Sequence, residues 1–291
     1  MIGIILISVM MSIVPAIAKQ PLSVAKPQPS GIFFGMQCNY DVTWDENQTK
    51  EPIIPQGELR HIVLNITYWF TRGLFGRLIN YLFSGEYVIM KLQVTNEPSW
   101  SHAIISSTSF SLYIPPKENI NQIWHDDFTI QVSDEAPAFE LFNVTIQATI
   151  EPLYGHFGLF PWIQGPTHTY NLTFQPGYKP LISPQLPQGN KIETPPLVTV
   201  QLPIGIKNLG NGKTIVENEL VHYPPDWTVT IPPQIILEVG EYKEFTLNIT
   251  APMDFSGEEV IRLLFTPHYY YNSSLIGSSI SETIIAYYNS L

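Results

Sequence analysis

The sequence is short of cysteine, of positive charge and of any complete catalytic signature, and each shortage removes a class of answer. A single cysteine, Cys38, permits no intrachain disulfide, so stability has to come from burial. Cys38 itself reads as a small buried hydrophobe rather than a reactive thiol. Lys and Arg number 14 against 25 Asp and Glu, a net charge of -11. A chain this acidic repels nucleic acid and anionic lipid, so neither is an expected partner. None of the seven histidines sits in H-E-x-x-H, and G-x-S-x-G does not occur. His125, Asp126 and Asp127 are adjacent, but consecutive residues of an extended chain point to alternating sides, so they read as a solvated turn with no metal. A triad assembled in space leaves no local signature; the expectation of a non-catalytic chain without cofactors rests on the lack of any positive sign.

What the chain does have begins with its leader. Residues 1–18, MIGIILISVMMSIVPAIA, carry no charged side chain and close on Ala16-Ile17-Ala18, the small-x-small pattern that signal peptidase cuts. The expectation is export with cleavage before Lys19. The Lys or Arg that usually precedes the apolar run is missing, and a run of this length can also stay uncleaved as an anchor. Residues 19–34 read as an N-terminal extension.

Pro, at 26 residues, together with abundant Tyr, Phe, Ile, Val and Thr, argues for strands over helices. In residues 197–291 the alternation is regular: Val198, Val200, Leu202, Ile204 and Ile206 share one face, and the same period two returns in Trp227, Val229, Ile231, in Phe245, Leu247, Ile249 and in Ile261, Leu263, Phe265. Gly- and Pro-rich turns separate these runs, which points to an immunoglobulin-like β-sandwich.

Within this stretch Gly212-Lys213-Thr214 imitates the end of a phosphate loop. The first glycine of G-x-x-x-x-G-K-[ST] would fall at Lys207, and residues 214–221 read as a strand, so no helix N-terminus would face a phosphate. Asn208-Leu209-Gly210-Asn211-Gly212 reads instead as a hairpin turn, with Gly and Asn at positive φ.

The phrases IKNLGNGKT, PPDWTVTIPP and LEVGEYKEFTLNITAP, in that order, resemble the NEW3-type Ig-like module of archaeal and bacterial surface proteins. The resemblance implies that Trp227 is a core tryptophan and that the module is a non-catalytic accessory or spacer. Residues 130–291 also resemble uncharacterised archaeal exported surface proteins, many of which end in a transmembrane helix that is not seen before Leu291.

Residues 35–176 suggest a second, larger sandwich, with strands over 61–70, 87–96, 110–114, 128–132, 142–150 and 169–174. Between residues 71 and 84 the period changes: Leu74, Phe75, Leu78, Ile79, Leu82 and Phe83 recur at helical spacing, with Arg72, Arg77 and Asn80 opposite. A short amphipathic helix capping an open end of the sandwich is expected. Residues 177–196, rich in Pro and without either period, read as an extended linker. The fold class expected is therefore all-β, two tandem Ig-like sandwiches with a helix inserted in the first.

Two kinds of binding feature stand out. The loop 153–166 concentrates Tyr154, Phe157, Phe160 and Trp162, aromatics able to stack on sugar rings or anchor a partner, or else to fold onto the helix. Six N-x-S/T sequons, at Asn47, Asn65, Asn143, Asn171, Asn248 and Asn272, are candidate glycosylation sites, four of them on the polar face of alternating strands. The functional expectation is a non-catalytic, exported cell-surface or secreted protein acting in adhesion, envelope structure or spacing. The alternative is a carbohydrate-binding accessory using the aromatic loop. Expected partners are a cell-surface glycan or another envelope protein.

Overall fold

A computed structural model of the chain describes residues 35–116, 121–154 and 161–289. The leader and the 19–34 extension lie outside the described residues. The first sandwich comprises β1 (Met36–Thr43), α1 (Glu46–Lys50), β2 (Arg60–Arg72), α2 (Gly76–Phe83), β3 (Tyr87–Asn96), β4 (Ser101–Ile105), β5 (Ser109–Tyr113), β6 (Gln122–Val132), β7 (Phe142–Ile150), β8 (Leu153–Tyr154), β9 (Pro161–Gln164) and β10 (Thr167–Phe174). The second comprises β11 (Ile182–Gln185), β12 (Lys191–Glu193), β13 (Thr199–Asn208), β14 (Thr214–His222), β15 (Thr228–Thr230), β16 (Gln234–Leu237), β17 (Tyr242–Thr250), β18 (Gly257–Tyr269), β19 (Asn272–Ile276) and β20 (Ile280–Tyr288).

Period-two alternation forces each strand to bury one face, and the two buried faces meet. In β2 the residues Ile62, Leu64 and Ile66 are sealed while Val63 is exposed; in β13 Leu202, Ile204 and Ile206 are sealed. Each sandwich has its own hydrophobic cluster, the first including Phe128 and Phe174, the second Trp227 and Phe265. Cys38 is fully buried in the first, where burial pushes its thiol pKa up and makes it inert.

The two sandwiches are copies of one topology. The first pairs its strands as β4-β6-β2-β1 and β10-β7-β3-β5; the second as β15-β17-β13-β11 and β20-β18-β14-β16. Taken along the chain, each places an A-B-E-D sheet against a G-F-C-C′ sheet, the immunoglobulin arrangement. Both also share one departure from it: the strand after C crosses to the D position before the next returns to C′. The first sandwich adds β9 and β8 beside β1, and the second adds β12, parallel to β20.

In both copies the chain enters at one end, here the head, and leaves at the other, the tail. The head of the first sandwich carries α2 between β2 and β3, and the β8–β9 hairpin. The corresponding connection in the second is 209–213.

Several local readings need correction. The segment 208–214 is no hairpin, because β13 and β14 lie in different sheets, and no residue in it has positive φ. The stretch around His125 is not a turn: all three residues belong to β6, where buried Asp126 accepts the Ser107 amide and exposed His125 bonds Asn65. Helix α2 exists, shorter than expected, but rotated. Its buried stripe is Gly76, Ile79 and Asn80, with Phe83 half-buried, and Leu78 and Leu82 face outward. Asn80 can point inward because its Nδ2 donates to the Pro116 carbonyl at 3.0 Å. The Pro-rich segment 177–196 holds β11 and β12, whose backbone is paired to β13 and β20.

A polar seam crosses the first core. The Tyr40 hydroxyl on β1 lies 2.6 Å from the Ala148 carbonyl of the facing sheet and 2.8 Å from that of Pro166, and accepts the His168 amide. The His168 ring meets Tyr40 edge-on at 5.2 Å, and among the described residues its buried Nε2 has no partner. Burial lowers the His168 pKa below its ordinary value, with Asp41 opposing. The unfolded chain therefore binds this proton more readily. The stabilising contribution is complete above about pH 6.5, the unfolded value, and is lost as pH falls through the lowered folded one. Thermal midpoints should drop as the solution is acidified through this window, and His168→Leu should flatten that part of the profile; an unchanged profile would sink the assignment.

Candidate functional site

The aromatic hairpin at the head was the strongest candidate in the sequence. Tyr154 stands exposed on β8, and Trp162 is half-buried on β9. Phe157 and Phe160 lie outside the described residues. The Trp162 ring meets Phe83 of α2 edge-on at 5.4 Å, so this side chain folds onto the helix. What the head presents to water instead is the outer face of α2 and its approach, where Leu74, Leu78, Tyr81 and Leu82 are exposed.

The second feature is the junction between the sandwiches, where the tail of the first meets the head of the second. Asn211 is 4% exposed and engages three partners. Its Nδ2 donates to the carbonyls of Ala136 at 2.9 Å and Gly177 at 2.8 Å, and its Oδ1 accepts the Lys179 amide at 2.7 Å. Its own carbonyl accepts the Ala138 amide. Neighbouring Asn208, fully buried, folds the loop on itself by bonding Gly210 and Gly212. A Cβ on Gly212 would lie 3.0 Å from Tyr178 and Tyr269 and 3.3 Å from Ala138 of the first sandwich, so close approach at the junction, not positive φ, explains this glycine.

Beside the junction runs an open apolar groove lined by Pro52, Ile54, Phe139, Tyr178, Tyr269 and Leu275 among others. Phe139 is held at φ 60°, a strained position for an aromatic residue, and its ring meets Tyr269 at 5.1 Å. The Tyr178 hydroxyl bonds that of Thr214 at 2.8 Å, and burial raises the pKa of both Tyr178 and Tyr269. Sequence reading passed over these residues; the run Tyr269-Tyr270-Tyr271 was the available signal. Lys213, the imagined phosphate ligand, pairs with Glu238 and lies 4.5 Å over the Tyr270 ring.

The sequons are accessible to different degrees. Asn47, Asn143, Asn171 and Asn272 are exposed, while Asn65 and Asn248 are half-buried. On the β10–β7 pair, Thr145 donates to Asn171 and Thr173 to Asn143, so these two asparagines sit side by side on one outer face. Among the described residues no cluster of His, Cys, Asp and Glu could hold a metal ion, and no helix is long and apolar enough to cross a membrane.

No family model matches the chain, and no curated protein does. Among solved structures, the chain is similar to the adhesive subunit CfaE of the CFA/I fimbria of enterotoxigenic Escherichia coli, with 11% identity over 87% of each chain and a TM-score of 0.34. A PapD-like domain of human CEP192 matches 38% of this chain and 87% of its own at 9% identity and a TM-score of 0.30. The CsuC–CsuE chaperone–adhesin complex of Acinetobacter baumannii matches at 18% identity over 38% of this chain and 56% of that one, with a TM-score of 0.25. Likenesses this distant carry no argument about role; the all-β sandwich class rests on the strand pairing described above.

Proposed function

We propose that this chain is a non-catalytic, exported surface protein whose two sandwiches form a continuous spacer, presenting the head of the first sandwich to its surroundings. The observation that supports this reading most is the junction. Two copies of one module are joined tail to head with Asn211, Tyr178 and Phe139 filling the seam, an arrangement suited to holding a fixed separation rather than opening and closing around a substrate. The apolar leader ending in Ala16-Ile17-Ala18 supports export. The resemblance to NEW3-type modules of surface proteins agrees with an accessory or spacing role, and the exposed sequons with a glycosylated surface.

The test is location and processing. Expressed in a prokaryotic host competent for export, the protein should be recovered outside the cytoplasm with Lys19 as its first residue by N-terminal sequencing. Recovery of an intact Met1 form from the soluble cytoplasm would overturn the reading, and intact Met1 in the membrane fraction would convert secretion into anchoring.

A further inference from the structure

The repetition of one topology makes the two ends of each sandwich comparable, and one head–tail pair is already joined within the chain. There the tail of the first sandwich offers Ile54 and Phe139, and the head of the second meets it with Gly212, Tyr269 and Leu275. Among the described residues this leaves one head and one tail uncovered. The uncovered head presents α2 and its approach, with Leu74 73%, Tyr81 82%, Leu78 58% and Leu82 52% exposed. The uncovered tail presents Leu197 64%, Val198 50% and Met253 79% exposed. Isolated exposed hydrophobes need no explanation, but several gathered at each free end of the tandem pair mark contact sites.

Two details fit the ends to each other. Leu197 is held at φ 59° with its amide bonded to the Ala251 carbonyl, so the tail holds an apolar side chain outward in a strained backbone, as the other tail holds Phe139 at φ 60°. Charge differs between the ends: exposed Arg77 sits on α2, which has no acidic residue of its own though exposed Glu86 follows it, while exposed Asp226 and Asp254 flank the tail.

We propose that the head of the first sandwich docks onto the tail of the second sandwich of another copy of this chain, extending between molecules the junction that exists within one. The two surfaces differ, so the contact is heterologous: each added copy leaves a free head and a free tail, and growth continues into an open array unless the rotation closes a ring. This goes beyond a spacer role, which needs no self-association.

The test uses the chain lacking only residues 1–18, which keeps every described residue. Sedimentation velocity should show mass rising with concentration. Leu82→Asp at the head and Met253→Asp at the tail should each weaken association about tenfold or more without altering the circular dichroism spectrum. Mixing decides the geometry, because Leu82→Asp keeps an intact tail and Met253→Asp an intact head. The mixture should form capped one-to-one dimers that neither variant forms alone. A chain that stays monomeric at all concentrations would overturn the proposal. So would association abolished by Leu82→Asp but untouched by Met253→Asp, which marks a head-to-head pair, or flotation of the monomer on phosphatidylcholine vesicles lost in Leu82→Asp, which marks a bilayer as the occupant. None of these outcomes depends on where the cell sends the protein, so failure here leaves the export reading standing.

Discussion

Trp227→Ala should destabilise the second sandwich by about 3 to 5 kcal/mol, the cost of deleting a large buried aromatic and leaving a cavity behind. Trp227 is 6% exposed at the entry to β15, and its ring meets Phe255 edge-on at 4.6 Å within the second core. Its backbone is fixed as well, the amide donating to the Pro224 carbonyl at 3.1 Å, so the surrounding turn cannot easily collapse into the void. Whole domains are stable by only about 5 to 15 kcal/mol, so this single change removes a large share. Trp227→Phe should recover much of the loss by refilling part of the volume. Lys213→Ala should be almost silent in the same denaturation series, because the Lys213 ammonium pairs with exposed Glu238 over the Tyr270 ring and its backbone bond to the Tyr270 amide is kept, and ATP should not raise the midpoint of either protein. A fully stable Trp227→Ala protein would remove the tryptophan from the centre of the core.

Trp227 was legible because burial follows local alternation, and alternation is written in neighbouring residues. The strands at Tyr87–Asn96 and Phe142–Ile150 are legible for the same reason, with bounds that coincide with those read from the sequence. Edges were harder. Strands β4, β8, β11, β12 and β16 are short and lie at or beside sheet margins, where pairing with a neighbour rather than hydrophobic period defines them. Helix α2 failed differently. Six apolar residues at helical spacing were assigned inward, whereas the buried stripe Gly76, Ile79, Asn80 contains a polar residue satisfied by the Pro116 carbonyl, 36 positions away. A partner that distant leaves no trace in a local window. The shared topology was invisible too, because it resides in strand order and not in residue identity: α2 occupies in one copy the place that five residues, 209–213, occupy in the other. The aromatic hairpin was visible as composition, yet whether Trp162 faces water or Phe83 is decided by the helix packed beside it.

Asn211→Ala should uncouple the two sandwiches. In the intact chain this side chain satisfies the carbonyls of Ala136 and Gly177 and the amide of Lys179, from a position 4% exposed. Truncation strands all three in a seam closed to water, and each unsatisfied buried group costs about 1 to 3 kcal/mol. The losses overlap, because a relaxed seam admits water, so a total of about 3 kcal/mol is expected. Most of it should fall on the contact between the modules, since the loop's own shape is held by Asn208, bonded to Gly210, Gly212 and Glu238. Calorimetry should therefore show one cooperative transition for the parent chain and two separated transitions for Asn211→Ala, each close to that of an independent sandwich. Asn211→Asp is the informative companion. It keeps the acceptor for Lys179 but cannot donate to the two carbonyls, so it should uncouple the modules at least as strongly as alanine. A single unshifted transition in both variants would show that the aromatic contacts of Tyr178, Phe139 and Tyr269 hold the junction without Asn211. A drop confined to the second sandwich, with coupling intact, would reduce Asn211 to a turn residue.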